Sequence, residues 1–357
     1  MKMLPEKAMI GVLGGGQLGR MAIEAASALG YRCHVFAPDG DAPATDIAAV
    51  STRADYTDTA ALTAFANSVD SVICEFENVP VEAVDMLANH VPVCPGGKAL
   101  RVAQHRLSEK DNARTLGIST PRYAGVKDGA SLADALSRFG GGILKTCRMG
   151  YDGKGQMRLA ADADPLAAIA HLGSDDLILE EIVDFTAEAS FLVARDHQGQ
   201  IAVWPASINQ HRGGILHISE APALADILTP ALWDEGKAAV IAMAEDLKLT
   251  GVLAAEMFIT RDGNLLFNEI APRPHNSFHW TIEGAETSQF SQLIRVAAGL
   301  PMGRVNATGR WRMTNILGED MPLLDTAMAE PGVYIHRYGK AEARTGRKMA
   351  HLNQRID

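Results

Sequence analysis

Glu256 and Glu269 are the residues whose type and spacing most directly suggest chemistry in this chain. They lie in apolar runs on either side of Asp262 and Gly263, and Asp-Gly between β-prone segments is a strong hairpin signal. A two-residue turn there places the two carboxylates opposite each other, where like charges about 4.5–5.5 Å apart at Cβ repel. Carboxylate oxygens favour Mg²⁺, which usually also binds substrate phosphates. We therefore predict a magnesium–nucleotide site; the alternative is a shifted register with one glutamate in solvent.

A polar segment follows the second carboxylate, where a site built around the pair would need further groups. The same register pairs Met257 with Asn268. The polar residues between Pro272 and Trp280 are Arg273, His275, Asn276, Ser277 and His279. Such side chains bind anions and transfer protons, and their position strengthens the metal-site hypothesis.

The amino-terminal segment predicts a βαβ unit with a loop suited to anions. Residues 8–13 form an apolar run, residues 14–19 match GxGxxG, and an amphipathic helix to about Leu29 precedes a strand at Arg32–Phe36. Such a loop exposes backbone N–H groups at a helix N-terminus. Asp39 could be the ribose-binding acid of a dinucleotide fold. Three interpretations stay open: a dinucleotide, another phosphate, or a purely structural turn.

A second polar cluster follows the next strand. Residues 71–76 read as a strand that carries Glu75 at its end and runs into the polar residues 77–80. Open α/β sheets bind ligands at this carboxyl edge, although a charged loop before a helix at residues 81–89 explains the pattern equally well.

Basic residues and a glycine-rich loop characterise the middle of the chain. A helix at residues 106–116 places Arg106 and Lys110 on one face, although such pairs are usually solvated. A later strand carries Lys145 near its end. Residues 148–156, RMGYDGKGQ, follow that strand. Their glycines and lysine predict a flap that closes over phosphates; the alternative is a plain hairpin. The loop is not a Walker motif, because GxxxxGK[ST] is absent.

Further candidates lie in the strands that follow. Residues 176–183 are apolar up to Glu180 and Glu181, a pattern typical of a hinge strand whose backbone binds adenine. The next predicted strand contains Glu188. His211 precedes a Gly-Gly turn, but a lone histidine is more often structural than catalytic. From residue 301 the chain changes to short strands with a basic cluster, which favours anion binding in an acidic protein: Lys340, Arg344, Arg347, Lys348 and His351.

Composition limits the classes of function. A chain of 357 residues suggests two or three domains with ample core, and 47% hydrophobic and 21% charged residues are ordinary for a globular protein. The net charge of −10 argues against broad nucleic-acid binding. Local arginines and lysines must therefore hold any anionic substrate.

The cysteines and the first residues indicate an intracellular protein. Cys33, Cys74, Cys94 and Cys147 show neither CxxC nor zinc spacing, so we expect reduced thiols. The amino terminus lacks the apolar core of a signal peptide, and no apolar run approaches the ~18 residues of a membrane span. We expect a cytoplasmic protein that binds neither nucleic acid nor membranes.

Five motifs together resemble the ATP-grasp enzymes, and within them the N5-carboxyaminoimidazole ribonucleotide synthetase family of purine biosynthesis. The motifs are GQLGRM at 16–21, CEFENVP at 74–80, GYDGKGQ at 150–156, NEIAPRPHNSFHWT at 268–281 and GRKMAHLN at 346–353. They occur in the family's order across nearly the whole chain, and the last three together are highly specific.

The resemblance implies a mixed α/β and α+β chain with the ATP-grasp fold. The expected parts are a Rossmann-like, biotin-carboxylase-like N-terminal α/β domain at residues 1–105, an ATP-grasp domain at 106–300 and a small β-rich C-terminal domain at 301–357. The flap would lie at about 147–156. A homodimer is implied as well.

The resemblance also implies that ATP lies between two sheets with Mg²⁺. Glu256 and Glu269 would hold the metal, Arg106 and Lys145 the phosphates, and Glu188 the ribose. The other expected ATP contacts are the adenine segment Glu180, Glu181, Ile182 and Val183, the flap residues Gly150, Tyr151, Asp152, Gly153, Lys154, Gly155 and Gln156, and His211 and Asn268.

The implied reaction joins bicarbonate to the amine of 5-aminoimidazole ribonucleotide. Bicarbonate attacks the γ-phosphoryl group of ATP to give carboxyphosphate, and the amine then meets carboxyphosphate or the CO₂ it releases. Arg273 would hold the anionic intermediate, His275 would take the amine proton and Asp152 would position the nucleotide. Lys348 completes the catalytic set. The expected ribonucleotide contacts are Gly16, Gln17, Leu18, Glu75, Tyr151, Asn276 and Ser277, with Lys340, Arg347 and Lys348 at the 5′-phosphate.

Two positions depart from the family pattern, and three other functions stay open. Met149, in the flap, and Ala350, in the phosphate loop, stand where family members often carry glycine. The alternatives are another ATP-grasp carboxylase or ligase, a non-catalytic nucleotide sensor, and an NAD-dependent Rossmann oxidoreductase that uses residues 14–19. An oxidoreductase function would not explain Lys145, the flap and the glutamate pair.

Overall fold

The computed structural model describes residues 1–150 and 155–357, and the first part of the chain forms a parallel sheet. Its strands are β1 (Met9–Leu13), β2 (Arg32–Phe36), β3 (Val50–Thr52), β4 (Ser71–Cys74) and β5 (Val93–Cys94), and its helices are α1 (Gln17–Ala28), α2 (Thr59–Ala66), α3 (Val81–Ala88) and α4 (Gly97–Ala103). The strand order β3-β2-β1-β4-β5 confirms the predicted βαβ start. β4 is buried along its whole length, which explains its continuous apolar run.

The next part forms a four-stranded antiparallel sheet in the order β6-β9-β7-β8. Its strands are β6 (Tyr123–Val126), β7 (Gly141–Thr146), β8 (Gln156–Ala160) and β9 (Leu177–Glu180), and its helices are α5 (Arg106–Thr115), α6 (Gly129–Phe139) and α7 (Pro165–Leu172). α6 begins where Asp128 accepts a hydrogen bond from the Ser131 N–H at 2.8 Å, and it ends at Gly140 with φ +74°. Strand β7 follows directly and confirms the predicted strand that carries Lys145 near its end.

A third sheet of nine strands is antiparallel. Its strands are β10 (Phe185–Arg195), β11 (Ile201–Val203), β12 (Ser207–Arg212), β13 (Ile215–Ala221), β14 (Gly251–Thr260), β15 (Leu265–Ala271), β16 (Trp311–Leu317), β17 (Val333–Arg337) and β18 (Lys348–Arg355). The helices around it are α8 (Pro230–Asp246), α9 (Thr281–Gly284), α10 (Gln289–Ala297) and α11 (Pro322–Ala327). The order is β15-β14-β10-β12-β13-β16-β18-β17, with β11 on β10. The last three strands thus continue the sheet that carries the glutamate pair, and the three-domain division stays a prediction.

The β14–β15 hairpin confirms one predicted pair and corrects another. Glu256 lies opposite Glu269, but Met257 lies opposite Phe267 rather than Asn268. The loop has three residues, 261–263, because the Gly263 N–H donates to the Thr260 carbonyl with Gly263 in the left-handed region at φ +75°. A β-bulge then takes up one extra residue between Met257 and Glu256, which restores the expected carboxylate pair.

Within residues 1–150 and 155–357, no helix is both long and apolar enough to span a bilayer. All four cysteines are buried and free, as predicted.

Candidate active site

Residues that follow strands β1, β4 and β7, together with residues of the nine-stranded sheet, line one cleft of about 930 Å³. Several expected site residues line it together: Gly16, Gln17, Leu18, Glu75, Arg106, Gly150, Glu256, Glu269, Arg273, His275, Asn276, Lys340, Arg347 and Lys348. Residues that the sequence interpretation had not assigned to a site also line it, among them Phe76, Gln104 and Glu109. The cleft therefore joins the two ends of the chain to the carboxylate pair.

The two opposed carboxylates of the hairpin have different environments. Burial raises the pKa of Glu256 to about 7, and the charge of Glu269 adds to this rise. Burial also acts to raise the pKa of Glu269, but Arg106, 2.7 Å from its Oε2, outweighs burial and lowers that pKa to about 2. A divalent cation between them would favour ionisation of both. The buried Asn268 Oδ1 lacks a hydrogen-bond partner among the described residues. These oxygen donors fit Mg²⁺.

Helix α5 carries three charged groups into the site. Arg106 donates to Glu269 and, at 3.2 Å, to the Gly150 carbonyl. Lys110 is 1% exposed, so the interpretation of the Arg106 and Lys110 pair as solvated was wrong. Glu109 is 4% exposed and its pKa is raised to about 8, chiefly by burial. The spacing of these three residues along one helix face was the signal in the sequence that could have identified them.

Lys145 and Glu180 form a buried ion pair. The Lys145 ammonium lies 3.0 Å from Glu180 Oε2, and Lys110 lies 3.5 Å from the same oxygen. Burial acts to raise the pKa of Glu180, but the two lysines outweigh it and lower that pKa. Glu181 binds Arg122 at 2.6 Å. The cleft lining does not include Lys145, Glu180, Glu181, Ile182 or Val183. Their roles at phosphate and adenine stay predictions.

Glu188 and His211 face each other across neighbouring strands. The carboxylate of Glu188 contacts His211 Nδ1. Burial acts to lower the pKa of His211, but this contact outweighs burial and raises it. The charge of Glu256 acts in the same direction. A ribose contact from Glu188 stays a prediction.

Arg273 is held by Glu77. Two guanidinium nitrogens donate to the Glu77 carboxylate, one of them at 2.7 Å, and Nη1 donates to the Pro274 carbonyl at 3.0 Å. Burial would raise the pKa of Glu77, but Arg273 outweighs it and lowers that pKa. Glu77 lies in the CEFENVP motif, yet its partner could not be identified because 196 residues separate the two in the chain.

His275 has a defined orientation. The Ser277 N–H donates to His275 Nδ1 at 3.4 Å, so Nε2 carries the proton in the neutral ring and faces Glu256 Oε1 at 3.5 Å. Burial and the neighbouring Arg273 lower the pKa of His275 to about 3, which keeps the ring neutral. Ser277 is fully buried and lies outside the cleft lining. The role of His275 as a base stays a prediction.

Asn276 lines the cleft, but its amide is occupied. It exchanges hydrogen bonds with Asn315 at 3.0 and 2.6 Å. Asn315 is fully buried in β16 and is a partner that the sequence interpretation missed. This exchange ties the segment after β15 to the carboxy-terminal strands.

The glycine-rich loop near the amino terminus already holds an anion from the chain itself. The carboxylate of Glu75 accepts from the Gly16 N–H at 2.6 Å and from the Gly19 N–H at 3.3 Å. A Cβ at Gly14 would lie 2.6 Å from Glu75 Oε1. Burial raises the pKa of Glu75. These contacts favour the structural interpretation of the loop over a dinucleotide site, because the carboxylate occupies the amides that a pyrophosphate would need.

The carboxy-terminal basic loop closes the other end of the cleft. Arg347 donates to Asp41 at 2.7 Å, and Lys340 donates to the Lys348 carbonyl at 2.8 Å. The hydrogen bond from Arg347 is the main cause of a lowered pKa at Asp41. Ala350 is fully buried in β18, where it adds no bulk to the cleft surface. Asp41 was missed because 306 residues separate it from Arg347.

The predicted flap is only partly described. Tyr151, Asp152, Gly153 and Lys154 lie outside the described residues. On one side Gly150 lines the cleft, and on the other Gly155 has φ +69° and Gln156 begins β8. Met149 is 68% exposed with φ +62°, a conformation that favours glycine. This departure from the family pattern therefore places a strained, non-glycine residue at the start of the flap.

His105, Cys147 and Asp176 bring potential ligand atoms within 4.8 Å of one another. The Ser108 N–H donates to His105 Nδ1, which leaves Nε2 to donate to Asp176 at 3.1 Å. Hydrogen bonding therefore accounts for this cluster as the cap of helix α5.

Comparisons with known proteins agree along the whole chain. Family models match residues 7–104 as the ribonucleotide synthetase preATP-grasp domain, residues 111–290 as the ATP-grasp domain, and residues 312–355 as the phosphoribosylaminoimidazole carboxylase C-terminal domain. The chain is 43% identical to the N5-carboxyaminoimidazole ribonucleotide synthase of Pseudomonas aeruginosa, over 97% of this chain and 94% of that protein.

It is 39% identical to the bifunctional purine synthesis protein purC/E of Dictyostelium discoideum, over 98% of this chain but 37% of that protein. The crystal structure of N5-carboxyaminoimidazole synthase from Aspergillus clavatus, in complex with ADP and 5-aminoimidazole ribonucleotide, is 28% identical to this chain. The two structures superpose with a TM-score of 0.89 over 98% of this chain and 94% of that one.

Proposed function

We infer the activity from one premise: the chain belongs to the N5-carboxyaminoimidazole ribonucleotide synthase family of ATP-grasp enzymes. It is an ATP-dependent carboxylating ligase of purine biosynthesis. We propose that it joins bicarbonate to the amine of 5-aminoimidazole ribonucleotide and gives N5-carboxyaminoimidazole ribonucleotide, ADP and phosphate. The observation that carries this proposal is the single cleft, which joins the carboxylate pair to the loops at both ends of the chain.

The nucleotide would bind against α5 and the hairpin. Arg106 is 2.7 Å from Glu269 and lines the cleft, so its guanidinium is placed to exchange that carboxylate for a phosphate. Glu256 and Glu269 would hold Mg²⁺, since their opposed oxygens match the ligands that this ion prefers. Bound Mg²⁺ would neutralise charge on the phosphoryl donor and bicarbonate, which otherwise repel each other.

The chain's own residues would then organise the carboxyl transfer. Carboxyphosphate is short-lived in water, which gives closure of the cleft a mechanistic purpose. Arg273 is fixed by Glu77 and would hold the anionic intermediate without moving far. His275 is neutral, and its unprotonated Nδ1 would accept the amine proton once the ring turns from Ser277 and Glu256. Lys340, Arg347 and Lys348 would neutralise the 5′-phosphate at the other end.

The most discriminating experiment measures ADP release with each substrate omitted in turn. We expect turnover only when ATP, Mg²⁺, bicarbonate and 5-aminoimidazole ribonucleotide are all present. A different ATP-grasp carboxylase would still release ADP, but with another acceptor in place of the ribonucleotide. Turnover that the ribonucleotide and bicarbonate fail to stimulate would refute the specific assignment. Reduction of NAD in the same mixtures would instead support the oxidoreductase alternative.

We also propose that the protein is a homodimer, for which the family resemblance is the support. Light scattering on the purified protein, with and without ADP, tests this directly. A single species of 38.1 kDa in both conditions would contradict it.

A further inference from the structure

Strand β15, which carries Glu269, is an edge strand of the nine-stranded sheet. Among the described residues no strand pairs with its outer edge, and an uncovered edge has unsatisfied N–H and C=O groups. Helix α5 packs against this edge. Its residues Arg106, Glu109 and Lys110 are spaced to share one face of the helix.

Two of these side chains bind the backbone of β15 rather than its side chains. The Glu109 carboxylate accepts from the Ile270 N–H at 3.0 Å. The Lys110 ammonium donates to the carbonyls of Asn268 at 2.8 Å and Phe267 at 3.2 Å. The clamp formed by Glu109 and Lys110 therefore holds the strand on both sides of Glu269.

The two carbonyls that Lys110 binds belong to successive residues. In a regular strand successive carbonyls point to opposite edges, so one ammonium reaches both only where the strand is irregular. The β-bulge between Met257 and Glu256 provides this irregularity, because Asn268 is the extra residue in β15. Without the bulge, the register would shift by one residue and Glu269 would turn to the other face of the sheet.

We propose that Glu109 and Lys110 are positioning residues that fix the bulge at Asn268 and so preform the Glu256–Glu269 pair for a divalent cation. This inference rests on the proposed metal role of the pair. Lys110 also lies 3.5 Å from Glu180, the partner of Lys145. The same ammonium thus links the metal-binding strand to the sheet that carries the expected phosphate lysine.

The test compares ADP affinity by calorimetry with and without Mg²⁺ in the full-length protein. In the wild type, Mg²⁺ should tighten ADP binding. Lys110→Met should remove most of this gain, since loss of groups that orient metal ligands typically costs about 10- to 100-fold in metal affinity. Affinity for ADP without metal should stay near the wild-type value. Lys110→Arg, which keeps donors and charge, should recover part of the gain.

Glu109 tests the clamp from its other side. Glu109→Gln keeps an oxygen acceptor for the Ile270 N–H and should retain the Mg²⁺ gain, whereas Glu109→Leu removes the acceptor and should lose it. If Lys110→Met does not fold, the comparison of Glu109→Gln with Glu109→Leu tests the clamp instead. Lys98→Met is the matched control, because Lys98 also contacts a carbonyl and a carboxylate, both of Asp246, outside the cleft lining.

The outcomes separate the two levels of the proposal. If Mg²⁺ fails to tighten ADP binding in the wild type, the metal role itself is wrong. If the wild type shows the gain and both Lys110→Met and Glu109→Leu keep it, the metal role stands and the clamp is refuted. An equal loss of affinity with and without Mg²⁺ also refutes the clamp, because it indicates general destabilisation of the site.

Discussion

Replacing Glu256 or Glu269, the proposed metal ligands, by glutamine should have opposite effects on stability, although both changes should abolish the response to Mg²⁺. Glu269 has the Arg106 guanidinium at 2.7 Å, whereas Glu256 has the neutral His275 ring at 3.5 Å. Glu256→Gln removes a buried charge that lacks a close cation. Glu269→Gln removes a charge that has one. The pair of variants thus makes the same chemical change in two environments.

The size of the stability change expected for Glu256→Gln follows from the pKa of Glu256. Burial and the charge of Glu269 raise this pKa from 4.5 to about 7, which corresponds to roughly 3 kcal/mol once the group is ionised. The folded protein binds this proton more tightly than the unfolded chain, so wild-type stability falls as the pH rises from about 4.5 to about 7 and then levels off. Relative to the wild type, the free energy of unfolding of Glu256→Gln should therefore be little higher at pH 5 and up to about 3 kcal/mol higher at pH 8.

Glu269→Gln should instead lose stability. Its side chain is 39% exposed, so solvent screening limits the value of the ion pair, and the amide oxygen can still accept from Arg106. We expect a loss of about 1 kcal/mol at pH 8. Urea unfolding without metal at pH 5 and pH 8 measures both variants. A pH-independent difference between Glu256→Gln and the wild type would refute the reasoning, as would a variant whose stability still rises when Mg²⁺ is added.

Three further predictions concern the rest of the site. Lys145→Met should weaken ADP binding by about 10- to 100-fold in calorimetry, since a hydrogen bond to a charged group contributes about 1.5–3 kcal/mol; unchanged affinity would remove Lys145 from the phosphate site. His275→Ala should lose carboxylation but keep ADP affinity; a near-normal rate would move the base elsewhere, for example to His279. Glu77→Gln should be less stable than the wild type at pH 7 in thermal unfolding. This gap should narrow as the pH falls below about 4.5 and close below the lowered pKa of Glu77, because the contact with Arg273 is stabilising only while Glu77 is ionised. A gap that does not narrow in acid would argue against that pair.

Local patterns in the sequence predicted most of the elements correctly. The βαβ start, the helix at Arg106 and the strand with Lys145 follow from apolar periodicity and glycine positions, which act over a few residues. The hairpin was predicted from Asp262 and Gly263, but its loop length was wrong. A three-residue loop and a later bulge are both compatible with that dipeptide, and only packing of the strand decides between them.

These local patterns do not predict contacts between residues that are distant in the chain. Glu75 occupies the glycine-rich loop 59 residues away, and Glu77 binds Arg273 196 residues away. The sequence shows a loop suited to anions and a guanidinium suited to carboxylates. It does not show that Glu75 binds the loop and Glu77 binds the guanidinium, because such contacts depend on distance in space.

The sequence by itself therefore determined the family, the opposed Glu256–Glu269 pair and the order of the elements, since these depend on residue types and short spacings. The tertiary structure decided which charges neutralise each other. Arg106 and Lys110 looked like a solvated pair, yet Lys110 and its neighbour Glu109 cover the edge of β15, which pairs with no further strand among the described residues. No local pattern in the sequence indicates that this edge is buried against α5, and so none could show that Glu109 and Lys110 support the strand with Glu269.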